Sequence, residues 1–384
     1  MKRCNLDKHK FFYWYAKISI MIFSLLIISC GSSILNSTSL NNIPVDVYVG
    51  GSSFISSTNV PVAVYWKNGG MVVLSTESSG VKSIAVAGND VYAGGYIMKY
   101  EPSIPDEHAA AMIAVAGYWK NGEWVGLSVL DSRNNSSVET MFMDGDDIYV
   151  GGYSANRSNI RVAGYWKNIE WVGLTSNSKY DSSVNSIFVT DNDIYACGYM
   201  RGKGIQIPVY WKNGECIELS FLSDKKAGNA YSIFVSNNDV YICGYSRNNS
   251  GVYTACYWKN SEIIPLSSSE PKDELQANSI FIAGKDVYIS GYRSNRLPAS
   301  GDYVPLLAGY WKNNKWMALI PFDNKKNSET SSIFVYGKDV YVGGYSENSR
   351  GDGIPGYWKN GKWVGFNVGR GHSPVSSIVV VPKL

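Results

Sequence analysis

The chain repeats itself seven times, and self-similarity at a fixed period constrains a fold more than any other sequence feature. The string Tyr-Trp-Lys-Asn begins at Tyr65, Tyr118, Tyr165, Tyr210, Tyr257, Tyr310 and Tyr357, with gaps of 53, 47, 45, 47, 53 and 47 residues. A second motif, Asp-(Val/Ile)-Tyr, begins at Asp46, Asp90, Asp147, Asp193, Asp239, Asp286 and Asp339. A third, typified by Ser-Ile-Phe-Val, starts at Ser83, Thr140, Ser186, Ser232, Ser279, Ser332 and Ser377. Each repeat reads as four strands. Strand a is the Ser-Ile-Phe-Val segment, and strand b is Asp-Val-Tyr-x-x-Gly-Tyr. Strand c ends in Tyr-Trp-Lys, and strand d is typified by Glu123-Trp124-Val125-Gly126-Leu127. Short runs of β-branched and aromatic residues between turn signals support that division. The c–d turn is Asn-Gly at Asn68, Asn121, Asn213 and Asn360. That pair accepts the positive φ angles a type I′ hairpin requires.

Four strands in each of seven repeats of about 50 residues predict an all-β, seven-bladed β-propeller over residues 45–384. The chain ends agree. The first repeat starts at strand b with Asp46, and the last segment, Ser377 to Val380, is a strand a with nothing after it. The orphan strand fits the vacancy, so the C-terminal strand is expected to complete the N-terminal blade and close the ring. A composition of 45% hydrophobic, 14% aromatic and 17% charged residues excludes a disordered chain.

A Gly-Gly pair ending strand b, followed by Tyr and by Trp six residues later, resembles the kelch repeat. The pair stands at Gly50-Gly51, Gly94-Gly95, Gly151-Gly152 and Gly343-Gly344. The spacing is met by Tyr118 and Trp124, Tyr165 and Trp171, Tyr310 and Trp316, and Tyr357 and Trp363. The layout is also similar to bacterial extracellular HAF-type repeats. Cys197, Cys243 and Ser290 depart from the pattern at the first Gly, and Met71, Cys216 and Ile263 depart from it at the strand-d Trp.

The N-terminus has the order of a secretory signal: basic residues from Lys2 to Lys17, then an apolar run from Ile18 to Ile28. Ile27, Ile28, Ser29 and Cys30 resemble the bacterial lipobox. That resemblance implies a signal peptide over 1–29, lipid on Cys30 (palmitate among its acyl groups), and a short linker over 30–44. It places the protein on the bacterial cell envelope, with Gly31 favouring an outer membrane where the host has one. An uncleaved signal anchor is the alternative. Cleavage removes five of 35 basic residues and one of 32 acidic ones, leaving 30 against 31. The basicity belongs to the signal, so nucleic acid is not an expected partner. Cys197, Cys216, Cys243 and Cys256 could form disulfides in an exported protein, but their spacing favours buried thiols in strands.

Strand a is expected to be innermost. The b–c and d–a connections vary in length and share one face, while the tight a–b and c–d turns share the other. Variable loops on a rigid scaffold are where binding is expected. The chain enters on the constant face, which is therefore expected to look at the membrane. The repeated Tyr-Trp pairs read as blade packing, and Lys67 with its equivalents as solubilising hairpin residues. Tyr96, Tyr153, Tyr199, Tyr245, Tyr292 and Tyr345 follow strand b and could line a glycan-binding rim. Lys99, Arg157, Arg201, Arg247, Arg293 and Arg296 stand early in the b–c connections, and Arg forks suit carboxylates, sulfates and phosphates. The long b–c segments Ile97–Ala116 and Arg293–Ala308 hold Glu101, Asp106, Glu107 and His108 in the first and Asp302 and Tyr303 in the second. Arg350-Gly351-Asp352 resembles an integrin-recognition tripeptide. No nucleophile elbow, phosphate loop or zinc-type His pair occurs, so neither catalytic residue, metal nor cofactor is assigned. The expectation is a monomeric, lipid-anchored binding module for an unknown protein or glycan. A carbohydrate-active hydrolase or lyase, and a structural envelope protein, are the alternatives.

Overall fold

The computed structural model describes residues 43–383 apart from 56, 58–59, 102–111, 176–178, 203, 225, 268–272, 296–304 and 369–371. The described residues form seven four-stranded antiparallel sheets arranged as a ring of blades. In blade 2 the strands are Ser79–Ala87 (a), Asp90–Tyr100 (b), Met112–Lys120 (c) and Glu123–Gly126 (d). Successive strands a touch one another all the way round, so strand a lines the centre and strand d the outside. Blade 1 takes its strand a, Val375–Pro382, from the C-terminus, paired in register with Val45–Phe54. The propeller and its closure are as the repeats predict.

The seam between blades carries the core. Trp66, Trp119, Trp166, Trp211, Trp258, Trp311 and Trp358 of strands c are all within 2% of complete burial. In blades 2, 3, 6 and 7 the strand-d Trp packs on this ring at 4.4 to 4.6 Å between centroids. Blade 1 has Met71 there, and its Trp66 is stacked instead by Phe366 from the link leaving blade 7. Four of the seven indoles donate back across the seam: Trp166 to the Ser128 carbonyl, Trp258 to Ser220, Trp311 to Ser267 and Trp358 to Ile320. Aromatics of this size dominate core energetics, and these are shared between neighbouring blades.

The glycine pair of strand b does two separate jobs. A Cβ on the second Gly would lie 1.9 to 2.2 Å from a strand-a carbonyl oxygen at Gly51, Gly95, Gly152, Gly198, Gly244, Gly291 and Gly344. Each of these glycines faces a β-bulge in strand a, as between Val81 and Ser83. No other residue fits, and none replaces it. The first Gly faces the next blade. A Cβ on Gly50, Gly94 or Gly151 would come within 2.7 to 2.9 Å of Val81, Val138 or Val184. Where this Gly is Cys197 or Cys243, the facing residue is Ala230 or Ala277, packed in the same cluster. The two cysteine departures from the repeat pattern are thus volume exchanges across the seam. Cys197, Cys243 and Cys256 are buried free thiols, and Cys216 is an exposed one.

The constant-turn face repeats one polar cluster seven times. In blade 4 the Asn213 side-chain amide donates to Asp193 (2.8 Å), and its oxygen accepts the Ile194 N–H (2.8 Å). Lys212 pairs with Asp193 at 2.8 Å and lies over the Tyr195 ring. Every one of these Asn residues, Asn68 to Asn360, adopts φ between 49° and 60°. The strand-c lysines therefore pin hairpins to strands as well as solvating them. Lys212 and then Asn213 hold the Asp193 carboxyl below its ordinary value, and Asn121 and then Lys120 do the same for Asp90.

Two predictions follow from the seam and the turns. Gly94→Cys should destabilise by about 1–3 kcal/mol through overpacking, and adding Val138→Ala should recover part of that loss in a double-mutant cycle. Gly95→Ala should not be rescued by any side-chain change. Additive effects at Gly94 and Val138 would refute the volume-exchange account. The second concerns pH. Depressed carboxyl pKa values give stability that is complete above the unfolded Asp value near ~3.9 and is lost as pH falls further. The raised lysines, such as Lys67 at about 12 through the Tyr48 hydroxyl and then Asp46, give stability that disappears only above roughly pH 10. Urea midpoints should form a plateau between these limits, and a profile flat down to about pH 3 would contradict it.

Candidate functional site

The variable face is built from the ends of strands b and the starts of strands c. Strand b of blade 3, Asp147–Ala155, places Tyr153 near its end, and strand c, Arg161–Lys167, starts beside it. Arg161 pairs with Ala155 across the hairpin. Its guanidinium carbon lies over the Tyr153 ring at 4.7 Å, and the Tyr199 hydroxyl of blade 4 favours its charged form. Arg201, at the end of the blade 4 strand b (Asp193–Gly202), approaches Tyr245 of blade 5. Arg247, closing the blade 5 strand b (Asp239–Arg247), lies 4.9 Å over the Tyr253 ring, and its Nη2 donates to the Tyr253 hydroxyl at 3.2 Å. The outcome is one ladder across three blades: Tyr153, Arg161, Tyr199, Arg201, Tyr245, Arg247, Tyr253.

Burial, and then Tyr253, raises the Tyr245 hydroxyl pKa while Arg201 and Arg247 oppose the rise. Burial likewise raises Tyr153 against Arg161. The ladder therefore presents neutral phenols between fixed cations. Among the described residues the buried Arg247 Nε has no hydrogen-bond partner. Between blades 3 and 4 the ladder opens into a cleft of about 300 Å³ lined by Asn135, Ala155, Asn159, Arg161, Asp181 and Arg201. Asp181 fixes both arginines by the backbone. Its side chain accepts the Arg161 N–H at 3.1 Å and its carbonyl accepts the Arg201 N–H at 2.8 Å.

The expected site residues separate into two groups. Tyr153, Tyr199, Tyr245, Arg201 and Arg247 come together in the ladder. Arg157 sits exposed at a loop tip near Asp131. Arg293 directly follows its tyrosine, whereas Arg201 and Arg247 stand two places after theirs, so it leaves strand b on the opposite side. The basic residues are thus not equivalent around the ring. Arg296, His108, Asp106, Glu107, Asp302, Tyr303 and Cys30 lie outside the described residues. Arg161 and Tyr253 were missed because they open strand c, away from the repeated motif. Their signal was the register: each faces the second residue after the strand-b Tyr or its blade equivalent.

Blades 6 and 7 differ in chemistry. Tyr292 donates to Gln276 at 2.6 Å, and its hydroxyl is raised to about 12 by burial, with Glu329 and Glu274 adding to the effect. Tyr345 donates to Glu329 at 2.7 Å and meets the His372 ring edge-on at 4.4 Å between centroids. Burial, then Glu329, pushes the Tyr345 hydroxyl well up.

Arg350-Gly351-Asp352 belongs to a loop shape shared by blades 3, 5 and 7. In each, the side chain of an opening Asn (Asn156, Asn248 or Asn348) accepts the N–H four residues on. Asp352 is turned toward Asn348, 3.0 Å from its amide nitrogen.

No protein-family model and no curated protein matches the chain. Among solved structures, the β-propeller domain of the Trilobed protease from Pyrococcus furiosus is 9% identical, covering 84% of this chain and 94% of that one at a TM-score of 0.47. An ulvan lyase of a polysaccharide lyase family is 11% identical over 84% and 86%, with a TM-score of 0.45. The Aleuria aurantia lectin bound to α-methyl-L-fucoside is 13% identical over 75% and 93%, with a TM-score of 0.38. At these identities and scores, the likenesses bear on neither ligand nor activity.

Proposed function

We propose that this propeller is a binding module for an acidic polysaccharide, held on the cell envelope by lipid at Cys30. The observation that carries the reading is the Tyr–Arg ladder of blades 3 to 5 with its polar cleft. Guanidinium forks recognise carboxylates and sulfates in a bidentate geometry. The intervening phenols offer hydroxyl donors and ring faces that suit a sugar. Stacking on tyrosine and backbone ties at Asp181 preorganise the arginines, which lowers the ordering cost of binding. The three blades present the pattern as a strip, the form an extended chain requires. Residues 1–30 support the envelope reading by their order of basic, apolar and lipobox segments.

A second reading, a lyase or hydrolase, is favoured by one observation: Tyr345, Glu329 and His372 gather on the same face as the ladder. A phenol in contact with both a carboxylate and an imidazole brings together residue types that carry general acid–base chemistry.

Titration calorimetry with polygalacturonate, a sulfated glycan and a neutral glucan tests the first reading. Binding should favour the anionic chains and weaken with salt. Arg161→Ala with Arg201→Ala should weaken it by roughly 10- to 100-fold, the scale of one or two charged hydrogen bonds. Undiminished binding by the double variant would discard the site. Release of product from the same polysaccharides, abolished by Tyr345→Phe, would move the assignment to the enzyme.

A further inference from the structure

The constant-turn face holds a charge division that the repeating clusters conceal. Each blade contributes one Asp–Lys pair there, as Asp90–Lys120 and Asp339–Lys359 do, and these cancel. The remaining charges at the a–b and c–d turns do not mix. Blades 2 to 5 carry only acids: Glu123, then Asp144, Asp146 and Glu170, then Asp191 and Glu215, then Glu262. Blades 6, 7 and 1, which adjoin through the ring closure, carry only lysines: Lys285, Lys315, Lys338, Lys362 and Lys383. All twelve side chains are exposed. One edge of a flat face is thus uniformly basic and the opposite edge uniformly acidic.

The chain enters at the basic edge. The Lys383 N–H donates to the Pro44 carbonyl at 2.7 Å, immediately before the first strand at Val45. The apolar run Ile18–Ile28 and Cys30 precede that point by at most 26 residues of sequence. From Cys30, the extended chain spans no more than about 50 Å. Any membrane attachment made by those residues therefore joins the ring at its basic sector.

We infer that the lysine sector of blades 6, 7 and 1 docks on an anionic lipid surface while the acidic sector is repelled from it. The inference rests on the reading that residues 1–30 tether the chain to a membrane. Polybasic surfaces next to a tether are drawn to anionic headgroups within a Debye length. The acids of blades 2 to 5 make a flat approach unfavourable. The ring then stands tilted, hinged at blades 6, 7 and 1. Tilting in this sense raises blades 3 to 5, so the Tyr–Arg ladder on the other face sits at the part of the molecule farthest from the bilayer.

The full chain, bound to vesicles, can report this without substitution. Lysine acetylation is followed residue by residue on phosphatidylcholine vesicles and on vesicles with about one third phosphatidylglycerol. On the anionic vesicles Lys285, Lys315, Lys338, Lys362 and Lys383 should lose reactivity several-fold. Lys120, Lys167, Lys212 and Lys259, on the same face in the acidic sector, should not. Neutral vesicles should give no such contrast. A variant with Lys285→Glu, Lys338→Glu and Lys362→Glu should leave Lys315 and Lys383 reactive, its fold being checked by circular dichroism. Uniform protection, or none, on anionic vesicles overturns the inference. Protection that appears without vesicles and grows with protein concentration also overturns it, pointing to a second copy of the chain as the occupant. Co-sedimentation with neutral vesicles reads the tether alone. Its loss with the five lysines still protected on anionic vesicles would sink the tether and retain the docking surface.

Discussion

Everything in this molecule depends on the seam where one blade's strand c and strand b meet the next blade's strand a. A four-residue strand d cannot stabilise a sheet edge, and a single four-stranded blade cannot bury both of its faces. The buried tryptophans supply the missing core by belonging to two blades at once, through packing and, in four of the seven, an indole N–H aimed at a neighbour's carbonyl. The Gly–Val and Cys–Ala exchanges show how tight the fit is: the methylene and thiol that Cys adds on strand b are matched by the loss of two methyl groups on the facing strand. Close packing of this kind transmits misfit rather than absorbing it. A ring of seven such seams is therefore rigid, and rigidity is what allows loop and strand ends on one face to hold a binding surface in place.

The architecture was legible because its causes are local and repeated. Asn68, Asn121 and their equivalents need positive φ, Trp66 and its equivalents need burial, and both needs recur in every blade. The closure was legible because the two ends carry complementary fragments of one repeat. The reason for Cys197 and Cys243 was not, since their partners Ala230 and Ala277 stand in the following repeat and the match exists only across the seam. Lys67 and its equivalents read as solvating residues because the aspartate each one pairs with lies 19 to 30 residues earlier.

The site was half legible for the same reason. Tyr153, Tyr199 and Tyr245 are repeated, so spacing finds them. The arginines are not repeated in register, and counting them as members of one ring merges side chains that leave the strand in opposite directions. Arg293 and Arg201 differ by one place relative to the strand-b tyrosine, and a one-residue difference in a strand is a change of face. Arg161 belongs to another strand altogether, and only pairing with Ala155 brings it over Tyr153. Function in a repeat protein is written in the departures from the repeat. Those departures acquire meaning only once register assigns each to a side.

The two faces divide their labour by the same rule. On the constant face, seven identical clusters neutralise themselves, so what remains is set by the few turn residues that differ. These sort by sign into adjacent blades, although nothing in blade packing requires a Glu at position 170 or a Lys at position 362. On the variable face, the arginines of blades 3 to 5 lie behind the acidic sector, and Tyr345, Glu329 and His372 lie behind the basic one. Cations and anions are thus offset through the thickness of the disc as well as across it. An anionic ligand arriving at the ladder meets its cations on the variable face, with Asp181 in the cleft beside them and the turn acids of the same blades a full strand length away. An anionic surface beneath the disc meets an excess of lysines over acids only at one edge. On the proposed docking, the same sorting of charge that aims the ladder would orient the whole ring, without any moving part.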